Sequence, residues 1–413
     1  MSKNLLMIGQ FYYPSNTTGA HRPAKTAKYL PRFGWTPVML TADWTPENSW
    51  GCFDPQLVNR DPSETVRVPF RFSTGKGWRA ALRRLQFKIT PLHYTRLFHR
   101  EMLERARRLA RERKFDAIWA TNPSDVSLRV ADAVSREFGI PWVADFRDLP
   151  DEAPVYPAWY RRWRVHLEVA SCRSASALVT VSQPLAAKLA ERHAAPVHVV
   201  FNGFDPDDFP CAEPARGEHF DIVYCGTIYA GRDPAMLFDA LDLALARDAG
   251  ALARLRVHFY GITPEQLSIF LQGRRCAGMA EALGRKPFSE VIRAEQQAAA
   301  LLLLSHGECA GIMTAKIFEY LGARRPVLSV PGDNNVTDAL LRATRAGVAA
   351  HTKEEAAKVL LDWYAEWEKT GTVAYDGLPA EIAQYTREGA AQKTAAILDA
   401  IAGGSRGSRC LAP

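Results

Sequence analysis

Short runs that are apolar at every position recur along this chain, each followed by a stretch with helical periodicity. LLMIG (5–9), PVMLT (37–41) and ALLLLS (300–305) have no polar alternate positions. As strands they must therefore be covered on both faces, which is the situation of a parallel sheet flanked by helices. On this pattern strands are expected at 5–9, 37–41, 117–121, 142–146, 178–182 and 198–201. A second series follows at 221–226, 257–261, 300–305, 327–330 and 348–350. Between them, stretches such as 24–33, 124–138 and 184–193 have helical spacing. Alternating strand and helix predicts an α/β chain of doubly wound parallel sheets.

The alternation breaks once, at Asn202-Gly203-Phe204-Asp205-Pro206 and the Pro-, Gly- and acid-rich residues after it. A length of 413 residues suits two domains of roughly 200 each. The expected division is 1–205 and 206–378. Pro379 then opens a last helix, 380–402, that packs back on the first domain, and 403–413 is a tail. The composition, 47% hydrophobic and 23% charged, is ordinary for two buried cores. The longest apolar run, Ala298–Leu304, is too short to span a bilayer, and no secretory signal pattern opens the chain. Seven scattered cysteines without metal-like spacing suggest reduced thiols in a cytoplasmic protein.

Two segments of the second half have chemistry. In CGTIYAGRDP (225–234), Gly226 ends a strand, Gly231 opens a loop, and Arg232 stands before a helix that Asp233 and Pro234 start. Such a turn offers backbone N–H groups to an anion, and arginine adds a two-pronged grip on phosphate. A plain turn with a solvated arginine is the alternative. In TAKIFEYLGARRPVLSVPG (314–332), Lys316 and Glu319 stand three residues apart near a helix start. They are neighbours there, either as a surface ion pair or as phosphate and ribose contacts for a nucleotide diphosphate.

The ordered set of segments resembles the retaining glycosyltransferases of the GT-B fold, in particular the large family 4 group. The matching pieces include LLMIGQFYYPSNTTGAHRPAKTAKYL, IPWVADFRDLP, SALVTVSQPLAAKL, VVFNGFDPDDF, FDIVYCGTIYAGRDP and KIFEYLGARRPVLSVPG. They cover nearly the whole chain in order. The resemblance implies two Rossmann-like domains facing a central cleft, with the acceptor on the first and a nucleotide-sugar donor, a UDP-sugar being favoured, on the second. It implies a donor diphosphate held by Arg232, Lys316 and Gly226, and a ribose held by Glu319. It also implies a reaction that retains anomeric configuration and needs no cofactor or metal. A second glutamate, usual eight positions before the ribose one, is Gly311 here. The donor sugar is therefore assigned to Glu308, Gly311 and Ile312. A basic residue usual after the arginine is Asp233.

On the acceptor side, the loop Asn16–Arg22 is expected at the cleft, with Gly19 permitting close approach and His21 and Arg22 as polar contacts. In ADFRD, Asp145, Arg147 and Asp148 end a buried strand, where three charges need partners. Asp145, Asp148 and His21 are the candidate catalytic groups for accepting the acceptor's hydroxyl proton. A structural ion pair centred on Arg147 is the alternative. The triplet Asp205-Pro206-Asp207 reads as a turn.

The net charge of +7 is concentrated: residues 76–114 hold thirteen Lys/Arg against three Glu, interleaved with aromatic and aliphatic residues. With WYRRWR (159–164), this basic amphipathic surface suits an anionic membrane and a lipid-linked or carbohydrate acceptor, as in polysaccharide, lipopolysaccharide or glycolipid assembly. A solvated helix face is the alternative, and no nucleic-acid-binding module is present. Two other functions stay open: a GT-B-fold nucleotide-sugar epimerase, and a non-catalytic homologue that binds a nucleotide sugar or a partner.

Overall fold

The computed structural model describes residues 2–49, 52–60, 62–70, 91–122, 124–149, 157–210, 217–228, 232–248, 250–305, 311 and 313–407. Residues 76–90 of the basic stretch, the loops holding Gly231 and Glu308, and Ile312 lie outside them. The chain forms two compact units, residues 1–201 with 387–413, and residues 202–386.

The first unit is built on a seven-stranded parallel sheet, β1 (Lys3–Ile8), β2 (Trp35–Asp43), β3 (Glu64–Pro69), β4 (Ala117–Thr121), β5 (Trp142–Phe146), β6 (Ala177–Thr180) and β7 (Val197–Val199). Their order is β3-β2-β1-β4-β5-β6-β7, reversing between β1 and β4. The helices are α1 (Thr18–Tyr29), α2 (Pro91–Glu112), α3 (Asp125–Phe138), α4 (Ala158–Ser171) and α5 (Gln183–Ala190). Alternate residues of each strand serve different cores, as the pleat requires. Leu6 and Ile8 join Met102, Val130 and Val134 of α2 and α3, whereas Leu5 and Met7 join Ala20, Ala24 and Ala27 of α1.

The second unit has a six-stranded parallel sheet, β8 (Phe220–Cys225), β9 (Leu255–Tyr260), β10 (Ala280–Gly284), β11 (Ala300–Leu303), β12 (Val327–Ser329) and β13 (Gly347–Ala349). Its order is β10-β9-β8-β11-β12-β13, reversing between β8 and β11. The helices are α6 (Ala235–Arg247), α7 (Pro264–Leu271), α8 (Phe288–Gln297), α9 (Ala315–Ala323), α10 (Val336–Thr344), α11 (Lys353–Thr370) and α12 (Pro379–Ala383). Phe220 meets Tyr364 and Trp367 of α11 edge-on, with ring centroids 5.8 Å apart in each case.

Three expectations change. The helix expected over 380–402 is two helices, α12 in the second unit and α13 (Arg387–Gly407) in the first, where Ala395 and Leu398 complete the α1-side core. The break between them lets Tyr385 accept a hydrogen bond from Phe204 N at 3.1 Å, and Phe204 forms an isolated parallel bridge with Thr386. A Cβ on Gly203 would lie 2.6 Å from the Tyr385 carbonyl oxygen, which explains a glycine here. The chain accordingly enters the second unit at Asn202 rather than after Asp205, and Asp205-Pro206-Asp207 belongs to a 3₁₀ turn, Pro206–Asp208, capped by the Asp205 side chain. Finally, Gly19, His21 and Arg22 stand on α1 rather than in a loop. Pro23 lies inside that helix, where its missing N–H removes one backbone bond without ending it. Among the described residues, no helix is long and apolar enough to cross a membrane.

Candidate active site

In the second unit, the carboxyl ends of β8, β9 and β11 gather the residues singled out for an anionic ligand. Gly226 follows β8 and donates its N–H to Tyr260 O at 2.9 Å. A Cβ on Gly261 would lie 2.8 Å from Gly226 O, so these two loops approach as only glycine allows. Arg232 is 8% exposed and donates Nε–H to the carbonyl of Leu304, just past the end of β11, at 3.0 Å. Asp233, standing where the family usually has a basic residue, accepts from Ala235 N at 2.9 Å and so begins α6.

The loop from β11 returns through Gly311, whose φ of 87° is a left-handed conformation that favours glycine. Thr314 is the N-cap residue of α9, but its side chain makes no capping bond, and its buried hydroxyl has no partner among the described residues. The first turn of α9 therefore presents backbone N–H groups, a partial positive charge and an uncommitted hydroxyl together. Lys316 stands in that turn. Its Nζ lies 2.7 Å from Glu319 Oε2, and the two side chains are 26% and 22% exposed. Burial pulls the Lys316 ammonium's pKa down, but Glu319, Glu295 and Cys225 outweigh it, and the net effect is upward. Lys316 thus stays a cation.

Glu295 of α8 escaped notice in the sequence. It is fully buried, and neither carboxyl oxygen has a hydrogen-bond partner among the described residues. Burial, then the charge of Glu319, pushes its pKa up to about 8, against the pull of Lys316 and a smaller pull from the Cys225 thiol. The available signal was its spacing: Glu295 stands three residues after buried Ile292, on the inward face of α8.

In the first unit, Asp145 is fully buried and committed. Arg22 Nε reaches both of its oxygens at 3.1 Å, Arg22 Nη2 reaches Oδ1 at 2.7 Å, and the Thr121 hydroxyl donates to Oδ2 at 2.9 Å. Arg22 also donates to Phe201 O at 3.2 Å. The ion pair at this strand end is thus centred on Arg22, not Arg147. With its oxygens occupied and no exposed surface, Asp145 is not placed to take an acceptor proton, nor Arg22 to contact an acceptor. Arg147 bonds the carbonyls of Asn122 and Thr18, both at 3.0 Å, and burial lowers its pKa against the opposing charges of Asp148 and Asp145. A Cβ on Gly19 would come within 3.1 Å of Phe11 and 3.3 Å of Arg147 Nη2. His21 is partly buried, with Nε2 2.9 Å from Asn16 Oδ1 and Nδ1 3.5 Å from the Tyr13 hydroxyl. Asp148 is exposed.

Two doubly wound parallel α/β units in one chain, with Arg232 and Lys316 near the carboxyl ends of the second sheet, form the GT-B fold. Residues 18–203 match the glycosyl transferase 4-like domain model. No curated protein matches the sequence significantly. Solved structures share the fold across the chain. HepE of Anabaena in complex with UDP-glucose is 15% identical with a TM-score of 0.64, over 96% of this chain and 99% of its own. The lipopolysaccharide outer core galactosyltransferase WaaB is 12% identical with a TM-score of 0.59, over 95% and 99%. A UDP-N-acetylglucosamine 2-epimerase of Listeria monocytogenes, so described provisionally, is 12% identical with a TM-score of 0.54, over 97% and 96%.

Proposed function

We propose that this protein is a glycosyltransferase that moves a sugar from a nucleoside-diphosphate sugar, a UDP-sugar first, to an acceptor hydroxyl with retention of configuration. The observation that supports it best is the Lys316–Glu319 pair in the first turn of α9, beside an uncapped Thr314 and in the same unit as the buried Arg232. A diphosphate leaving group gains negative charge as the anomeric bond breaks. Cations and helix N–H groups held in advance where that charge develops lower the barrier. On this reading Arg232, Lys316 and the N–H groups after Thr314 meet the diphosphate, and Glu319 turns from Lys316 to the ribose hydroxyls. The charge is met by these groups, so the reading assigns no metal and no other cofactor. On this reading Gly311 is assigned to the donor sugar. The binding of UDP-glucose by HepE is consistent with this donor class.

For the acceptor, exposed Asp148 is the candidate we retain and His21, held by Asn16 and Tyr13, is the second, whereas Asp145, Arg22 and Arg147 shape the strand end. The acceptor we favour is a carbohydrate or a lipid-linked sugar met at the cytoplasmic face of an anionic membrane. On α4, Trp159 is 68% exposed beside Arg161 and Arg162, a surface that suits an interfacial contact. Flotation that ignores both anionic and neutral liposomes would remove this contact from the proposal.

The donor assignment is tested by thermal shift with UDP-, GDP-, dTDP- and ADP-sugars. One of these is expected to raise the melting temperature, and Lys316→Ala and Glu319→Ala should each abolish that rise in a folded protein. Persistence of the shift in both variants would refute the site. Turnover of the stabilising donor, followed by the anomeric signal of the product in NMR, separates a retaining transferase from an epimerase or a non-catalytic binder.

A further inference from the structure

Helix α8 packs against both β8 and α9, the elements bearing Cys225 and the Lys316–Glu319 pair. On its buried face it brings a carboxyl with no hydrogen-bond partner among the described residues. Nothing in the donor reading uses this group, and a buried carboxyl with only a thiol, a weak donor, beside it is destabilising unless something offsets it. Lys316 is the cation that acts on it, and Glu319 is the anion that opposes it. One ammonium thus stands under the influence of two carboxyls, and among the described residues it is bonded to Glu319.

We propose that Glu295 is a positioning residue of the donor site, whose carboxyl competes with the donor diphosphate for the Lys316 ammonium. The inference rests on the donor-site reading above. When a diphosphate binds, Lys316 leaves Glu319 and Glu319 takes the ribose. The ammonium then has two possible anionic partners, the phosphate above and Glu295 below. With a proton on Glu295, the phosphate has no rival. With that proton lost, the lysine is drawn back toward α8, and a second negative charge is buried near the diphosphate. Binding of the dianion therefore raises the affinity of Glu295 for its proton, and by linkage loss of the proton weakens binding. The other titratable groups facing Glu295 are the Cys225 thiol and the Tyr320 hydroxyl. Burial raises both well above their usual values, so they stay neutral through the relevant range.

Glutamine reproduces the protonated carboxyl and cannot ionise, so Glu295→Gln isolates the effect. UDP, GDP, dTDP and ADP are titrated calorimetrically into wild type and Glu295→Gln at pH 6.5 and pH 9. The ratio of the two dissociation constants at each pH cancels the ligand's own titration. At pH 6.5 the ratio should lie within about twofold of one. At pH 9 the variant should bind roughly fivefold or more tightly than wild type, as expected when one proton with a pKa near 8 is lost from the unliganded site. A ratio that does not change with pH, or weaker binding by Glu295→Gln at both pH values, overturns the proposal. Glu295→Leu serves as a second non-ionising variant if the glutamine protein melts abnormally. Unchanged affinity in Lys316→Ala alone refutes the donor site itself and is a distinct outcome. Failure of all four nucleotides to bind wild type also counts against the donor reading, and the inference falls with it.

Discussion

Replacing Asp145 by alanine separates a structural carboxylate from a catalytic one. The substitution removes the acceptor for Arg22 Nε and Nη2 and for the Thr121 hydroxyl. It takes the Asp145 carboxylate away from a guanidinium that is 4% exposed. Removing one partner of a buried ion pair typically destabilises by about 3–5 kcal/mol. The Thr121 hydroxyl still has the Asn122 carbonyl at 3.0 Å as an acceptor and adds little to this loss. In a unit of this size each kcal/mol lowers the melting temperature by roughly 2–4 °C. A fall on the order of 10 °C in the transition of the first unit is therefore expected, read by calorimetry. Removing both charges together, Arg22→Met with Asp145→Leu, should recover much of that loss, because no charge is left buried alone. Turnover of whichever donor stabilises the protein is measured below the lowered transition. Alanine at 145 should retain activity there in proportion to the folded fraction. A variant that melts like wild type yet has lost turnover by orders of magnitude would refute this reasoning and restore Asp145 as an acid–base group.

Two further outcomes follow from local geometry. Gly203→Ala sets a methyl group 2.6 Å from the Tyr385 carbonyl oxygen, and overpacking of this kind destabilises by about 1–3 kcal/mol. The transition of the second unit should move down in a thermal melt, and an unchanged melt would show that the backbone there yields freely. His258 bridges Asp221 at 2.9 Å and Glu281 at 2.7 Å, and these bonds raise its pKa, the Asp221 hydrogen bond most, against burial. A base whose folded pKa is raised contributes stability that is fully present below its unfolded pKa of about 6.5 and lost as pH rises through the folded value. Urea melts of His258→Gln should therefore show a larger loss at pH 6 than at pH 9, and equal losses at both would contradict the pairing.

The strands that the sequence reveals are those whose every residue is apolar. LLMIG, PVMLT and ALLLLS are buried on both faces, and the structure places strands at all three. β3 and β10, with sequences ETVRVP and AEALG, end their sheets, mix charge with small residues and carry no continuous apolar run. The site was legible where residue type and local spacing coincide, as in the Lys316–Glu319 pair three apart on one helix. It was illegible where partners come from distant segments. Nothing local to Asp145 announces that Arg22, 123 positions earlier, will hold it. Nothing local to Glu295 announces a lysine on another helix. A helix start was also misplaced, because Pro23 resembles a beginning and the α1 interior tolerates it.

The return of α13 to the first unit bears on how this protein is made. Ala395 and Leu398 complete a core otherwise built from α1 and from strands β1, β2, β4, β5 and β6, all within the first 200 residues. During synthesis the first unit is translated early, yet it cannot close that core until residues 387–407 have left the ribosome, after the whole second unit. The α1-side surface of the nascent chain stays uncovered through that interval, which makes it the natural point of chaperone contact. A chain stopped at residue 386 would contain every residue of the proposed donor pocket and still lack part of the hydrophobic interior of its first unit.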